Sequence, residues 1–168
     1  QPEHESIRLA LAGEAANLDP RYTTDATSAR INRLIYARLV DFDERAQPQP
    51  ALARWEQLAP TYYRFHLGTE QRAFHDGGRL TSRDVKATYD FILDPANASP
   101  HRAALALIDS IHIVDDDTLD IFLQRPDPLL PAYLVIGILP ERLARQPREV
   151  DLVPVGSGPM VYLGRPEP

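Results

Sequence analysis

The sequence contains no cysteine. That removes disulfides, thiolate nucleophiles and thiolate zinc sites together, and is compatible with both the cytosol and the bacterial periplasm. Lysine occurs once, at Lys86, so arginine carries nearly all the positive charge. No basic block stands out, and 18 Lys and Arg against 24 Asp and Glu give a net charge of −6. This balance argues against nucleic acid as a partner. No apolar run reaches the ~20 residues of a membrane-spanning helix. The longest, around residues 129–139, is broken by Pro131 and Gly137. The opening Gln1-Pro2-Glu3-His4-Glu5 is polar and has no signal-peptide pattern.

What is present is a balanced globular composition: 168 residues, 43% hydrophobic and 25% charged. That is enough for one domain with a real core. The 16 prolines punctuate it, as in Gln47-Pro48-Gln49-Pro50 and Pro126-Asp127-Pro128, and imply many stiff connections.

Periodicity then locates the elements. Ser6–Ala12 reads as a strand with Ile7, Leu9 and Leu11 on one side. A helix follows over residues 27–39 on Ile31, Leu34, Ile35 and Leu39, capped by Asp25 or Thr27. Ala51–Trp55 is a short segment, and Tyr62–Leu67 alternates cleanly as a strand. Phe74-His75-Asp76-Gly77-Gly78 is a tight turn. Thr81 and Asp84 form a capping box, with Asp in place of the usual Glu or Gln, ahead of Val85, Thr88, Tyr89 and Ile92 at helical spacing. Asp94-Pro95 ends that helix, and Ser99-Pro100 begins another with Ala104, Leu107 and Ile108 inward. Ile111 and Ile113, then Leu119, Ile121 and Leu123, form a hairpin turning at Asp115-Asp116-Asp117. Residues 129–139 read as a short helix followed by a strand. A Gly/Pro turn at residues 154–160 leads into a strand at Val161-Tyr162-Leu163, too short to complete a sheet by itself. The expected class is mixed α/β, that is α+β, with short strands and three or four helices.

Few of these residues carry chemistry. The Asp115–Asp117 triplet lacks the spaced ligands and glycine of a calcium loop and sits where a hairpin must turn. His75-Asp76 has the form of a base and its orienter, but no nucleophile elbow accompanies it. Gly156-Ser157-Gly158 lacks the lysine and spacing of a phosphate loop. An anion at the helix start near Thr81 would compete with Asp84. The loop from Gly13 to Thr24 joins a hydrophobic strand to a strong helix, where α/β folds present ligand-contacting backbone. Gly13 frees that backbone, and Glu14, Asn17, Tyr22, Thr23 and Thr24 supply polar groups.

Several stretches, in order, resemble the extracellular solute-binding proteins of family 5, the receptors of dipeptide, oligopeptide, nickel and related importers. They are Ile7-Arg8-Leu9-Ala10 with Asn17-Leu18-Asp19-Pro20; Leu34-Ile35-Tyr36-Ala37-Arg38-Leu39-Val40; Pro50-Ala51-Leu52-Ala53-Arg54-Trp55-Glu56; and Tyr63-Arg64-Phe65-His66-Leu67. The strongest run is Phe74-His75-Asp76-Gly77-Gly78-Arg79-Leu80-Thr81-Ser82-Arg83-Asp84-Val85. Asp94-Pro95, Ala98-Ser99-Pro100 and Val155-Gly156-Ser157-Gly158-Pro159-Met160 complete the series. Gln57-Leu58-Ala59-Pro60-Thr61 departs from the family's usual polar turn, and Gly68 stands where Arg is common.

The resemblance implies a periplasmic binding protein-like fold of the class II, cluster C type. Residues 1–45 would begin lobe I, 46–153 would form its extra subdomain, and 154–168 would return to lobe I and lead toward a second lobe. It implies the substrate-binding component of an ABC importer, with a peptide or small-molecule ligand, permease subunits as partners, and no nucleic acid. Gly13, Glu14, Ala15, Asn17 and Thr24 are then the candidate ligand contacts, with no catalytic residue, metal or cofactor. The location implied is the periplasm or the outer face of the cytoplasmic membrane, lipid-anchored in a Gram-positive parent. A single incomplete lobe is expected to bind little and to self-associate through uncovered edges. The alternatives are a sensing or interaction module on the same fold and a hydrolase using His75 and Asp76.

Overall fold

The computed structural model describes residues 7–9, 17–148 and 153–162. Its centre is an antiparallel four-stranded sheet in the order β4-β5-β7-β6, made of β4 (Ala53–Ala59), β5 (Tyr62–Leu67), β6 (Ile108–Asp115) and β7 (Thr118–Leu123). Alternation decides the faces, because successive strand side chains point to opposite sides. Tyr63, Phe65 and Leu67 of β5 and Leu119, Ile121 and Leu123 of β7 are all buried in one cluster. Each such side chain contributes roughly 1.5–3 kcal/mol by leaving water.

Helix α2 (Ser82–Leu93) adds Val85, Tyr89 and Ile92 to the same cluster. Its start follows the expected capping box: the Thr81 hydroxyl accepts from the Arg83 amide, and Asp84 accepts from the Thr81 amide at 2.7 Å. The second oxygen of Asp84 accepts from the Glu141 amide at 2.7 Å, tying α5 (Glu141–Ala144) to α2. Burial pushes the Asp84 carboxyl above its ordinary value, while those backbone bonds pull it down. Asp84 therefore occupies the helix end where an external anion was considered.

Four expectations change. Helix α1 is Ala26–Ile35, capped by Asp25, and does not run on to Leu39. Tyr36 turns extended because the Ile35 carbonyl is taken by the Gly158 amide at 2.8 Å. Leu39 then enters the sheet-side core, and β2 (Val40–Phe42) pairs with β3 (Pro48–Pro50). Second, the segment expected at Ala51–Trp55 is the edge strand β4, with Trp55 half-buried against Phe65. Third, Ser99-Pro100 does not open the next helix. The Ser99 hydroxyl donates to the Arg21 carbonyl, and α3 (Arg102–Leu105) starts after His101 with Leu105 inward. Fourth, α4 (Leu130–Tyr133) is followed by a buried extended segment and not by a strand. Its amides go to scattered partners, Ile138 to the Ala37 carbonyl and Leu139 to the Thr88 hydroxyl, so no ladder forms.

β8 (Met160–Tyr162) pairs in parallel with β1 (Ile7–Leu9). The rest of the strand expected over Ser6–Ala12, and Leu163, lie outside the described residues. The chain reaches β8 through Gly156 and Gly158, which lie directly on the end of α1. A Cβ on Gly156 would stand 2.1 Å from the Ile35 carbonyl oxygen, and one on Gly158 would stand 2.6 Å from that of Leu34. Both contacts are with backbone, so no side chain fits at either position. No helix among the described residues is long and apolar enough to cross a membrane.

Candidate functional site

The loop before α1 is fixed by its own bonds and by bonds to α1. Asn17 accepts the Asp19 amide on its side chain at 3.0 Å, donates its own amide to Ser28, and accepts from Thr23 and Asn32 on its carbonyl. Next to it lies a buried ion pair. Arg21 donates to both oxygens of Asp19, at 2.9 and 2.8 Å, and to the Gln146 carbonyl at 2.6 Å. Its guanidinium lies 4.0 Å from the centre of the Phe91 ring. Tyr22 donates to the Asn97 carbonyl. The loop is thus bolted to α5 and to the 3-10 turn at Pro95–Asn97.

This bracing positions one wall of a recess of about 420 Å³, within the ~300–1,000 Å³ of small-molecule sites. Pro20 and Thr23 of the loop and Ala29, Asn32 and Arg33 of α1 form that wall. The opposite side comes from Arg38 and Asp41, from His101 and Ala104 at α3, and from the segment after α4. Gly137 lets that segment approach: a Cβ there would stand 2.6 Å from the Tyr36 Cβ and 3.1 Å from Pro20. His101 is half-buried, and desolvation lowers its pKa against the opposing effect of the Thr23 backbone.

Of the residues expected to face a ligand, Gly13, Glu14 and Ala15 lie outside the described residues. Asn17 is half-buried, with its side-chain oxygen, amide and carbonyl bonded to the loop and α1, while Thr24 is exposed beside the lining residue Thr23. The recess residues Arg33, Arg38, Asp41 and His101 had no signal in the sequence. Arg38 and Asp41, three residues apart, pair in the stretch that follows the end of α1 at Ile35.

The other candidates are engaged elsewhere. His75 Nε2 lies 2.9 Å from the Gly158 carbonyl, whereas Asp76 pairs with Arg142 at 2.6 Å, so the two are not coupled as base and orienter. In the hairpin turn, Asp116 pairs with Arg83 at 2.8 Å and Asp117 with Arg72 at 2.7 Å.

Comparison with known proteins places this arrangement. Residues 45–162, well over half of the chain, match the family model "Bacterial extracellular solute-binding proteins, family 5 Middle". The glutathione-binding protein GsiB of Pectobacterium atrosepticum is 28% identical over 165 residues, 92% of this chain and 31% of that protein. Among solved structures, AgaA of A. tumefaciens R10 in complex with agropinic acid has a TM-score of 0.83 at 30% identity, covering 95% of this chain and 33% of that one. NikZ of Campylobacter jejuni in complex with Ni(L-His) has a TM-score of 0.75 at 27% identity, covering 92% and 32%. The chain thus spans about a third of the length of these relatives. The fold is the mixed α/β fold of periplasmic binding proteins, and the family is one of binding proteins outside the bacterial cytoplasm. The chain belongs to the bacterial extracellular solute-binding proteins, family 5.

Proposed function

We propose that this chain is part of the substrate-binding component of an ABC importer, and that the recess beside α1 is its ligand-facing surface. The observation that carries this reading is the recess itself: an apolar hollow with a few convergent polar groups, bounded by the loop that follows β1. The contacts proposed for the solute, Gly13, Glu14, Ala15, Asn17 and Thr24, belong in sequence to the segment between β1 and α1. Residues 1–45 begin lobe I, 46–153 form an extra subdomain, and 154–168 return to lobe I toward a second lobe. The work is binding without covalent chemistry: closure on the solute shifts the population toward a form that the permease recognises. The location is the periplasm or the outer membrane face, lipid-anchored in a Gram-positive parent. Of the relatives named above, one is named as glutathione-binding and two are complexes with agropinic acid and Ni(L-His), which supports a small solute here.

The test is to purify the full-length gene product carrying this chain, denature it, and identify what is released by mass spectrometry. One solute in near-stoichiometric amount is expected. An empty protein with no thermal shift from peptides, amino-acid chelates or opines would sink the reading. The chain alone, holding one wall of the site, is expected to bind such solutes no better than millimolar by calorimetry, and it presents the open edges of β4 and β6 for self-association.

A further inference from the structure

The charges lining the recess do not balance. Asp41 is its one lining carboxylate among the described residues, and it stands between two guanidinium groups. Arg33 reaches its Oδ1 at 3.3 Å, and Arg38 reaches its Oδ2 at 2.7 Å. The Phe42 amide also donates to Oδ1, at 2.8 Å. One carboxylate against two guanidinium groups leaves a unit of positive charge at the recess, on a chain whose net charge is −6.

The two arginines differ in setting. The Arg33 side chain is 56% exposed, so water solvates it, whereas that of Arg38 is 13% exposed. Burial lowers the Arg38 pKa, Asp41 opposes that, and Arg33 adds to it. A guanidinium stays charged in proteins, so Arg38 is a partly desolvated cation that shares its one anionic partner among the described residues. It has five N–H groups, and one of them meets Asp41. None of the others has an acceptor among the described residues. Apolar surface from Ala104, Val135 and Ile136 lines the same recess.

We propose that Arg38, assisted by Arg33, receives a carboxylate of the transported solute, whose apolar part lies on Ala104, Val135 and Ile136. This rests on the reading of the recess as the ligand-facing surface. The planar fork of a guanidinium matches a carboxylate through paired, charge-assisted hydrogen bonds. Asp41 holds the fork in place while leaving its other edge open. A neutral or cationic head group at that position gains nothing and leaves Arg38 short of an anion, so the site selects by charge as well as by shape.

The test uses this chain, labelled with nitrogen-15, and two probes that differ only at the head group: N-acetyl-leucine and its neutral carboxamide. Saturable amide shifts at Ala29, Arg38 and Ile136 are expected with the acid at millimolar concentration. The carboxamide should bind at least about tenfold more weakly. Arg38→Gln should remove the acid's advantage, and Arg33→Gln should reduce it. If Arg38→Gln does not fold, Asp41→Asn decides, since removing the competing carboxylate should tighten acid binding. Equal shifts from acid and carboxamide, no shifts with either, or acid binding unchanged in both Arg38→Gln and Asp41→Asn would overturn the proposal. A full-length product that releases no solute while these acid-selective shifts persist would overturn the transport role alone.

Discussion

Tyr89 is fully buried in the middle of α2, among the residues that face the sheet, and its hydroxyl has no hydrogen-bond partner among the described residues. Burial drives its pKa far above the ordinary tyrosine value, so the group is a neutral, unpaired hydroxyl in an apolar core. Such a group costs roughly 1–3 kcal/mol relative to a paired one. Tyr89→Phe removes the oxygen and keeps the ring. It is expected to raise stability by about 1 kcal/mol in urea titration, and a loss of that size would show that the hydroxyl has a partner in solution. The buried pair of Arg21 and Asp19 is the opposite case. There the guanidinium also donates to the carbonyls of Leu143, Ala144 and Gln146, and removing one partner would strand the other.

Among the elements, the sheet's outer face holds a network that ordinary alternation does not announce. Arg64 of β5 donates to both oxygens of Asp120 on β7, at 2.8 and 3.0 Å, and the Tyr62 hydroxyl donates to the same carboxylate at 2.8 Å. Tyr62 in turn stacks on Phe122 at 4.6 Å. The Arg64 hydrogen bonds hold the Asp120 carboxyl below its ordinary 3.8, against the upward pull of burial. A lowered folded pKa means that the contribution is present above about pH 3.8 and is lost as pH falls through the folded value. Asp120→Asn should therefore be less stable than the parent at pH 6, with the gap narrowing toward pH 3. A gap that does not change with pH would show that the carboxylate does not titrate with folding. The elements that were legible in the sequence are those with local causes: the capping box at Thr81 and Asp84, the alternation of β5 and β7, and the turn with Gly77 at a φ of 95°. Those that were not have distant causes. α1 stops at Ile35 because residue 158 arrives there, and residues 134–139 look like a strand but form no ladder with a strand among the described residues. The recess inherits that limit, since its lining comes from α1, α3 and the segment after α4, which only the tertiary fold brings together.

At the scale of the molecule, stability is unevenly spread. The four-stranded sheet is backed by α2 and the main core, whereas β1 and β8 pair over three residues in a sheet of two strands. Hydrogen exchange should reflect that division. Amides of β5 and β7 should exchange only with global unfolding, and those of Arg8 and Val161 orders of magnitude faster; equal protection would refute it. The segment leading to β8 is nevertheless well moored, through the His75 amide to the Gly156 carbonyl, the His75 ring to the Gly158 carbonyl, and the Gly158 amide to the Ile35 carbonyl. Two glycines make the contact with α1 a backbone-to-backbone seat, with no side chain between the two chains to absorb slack. A tug on the chain at Tyr162 is consequently borne by the last turn of α1, and α1 also carries Ala29, Asn32 and Arg33. Exit strand and recess are loaded in series, like a rope made fast to the post that holds up the wall.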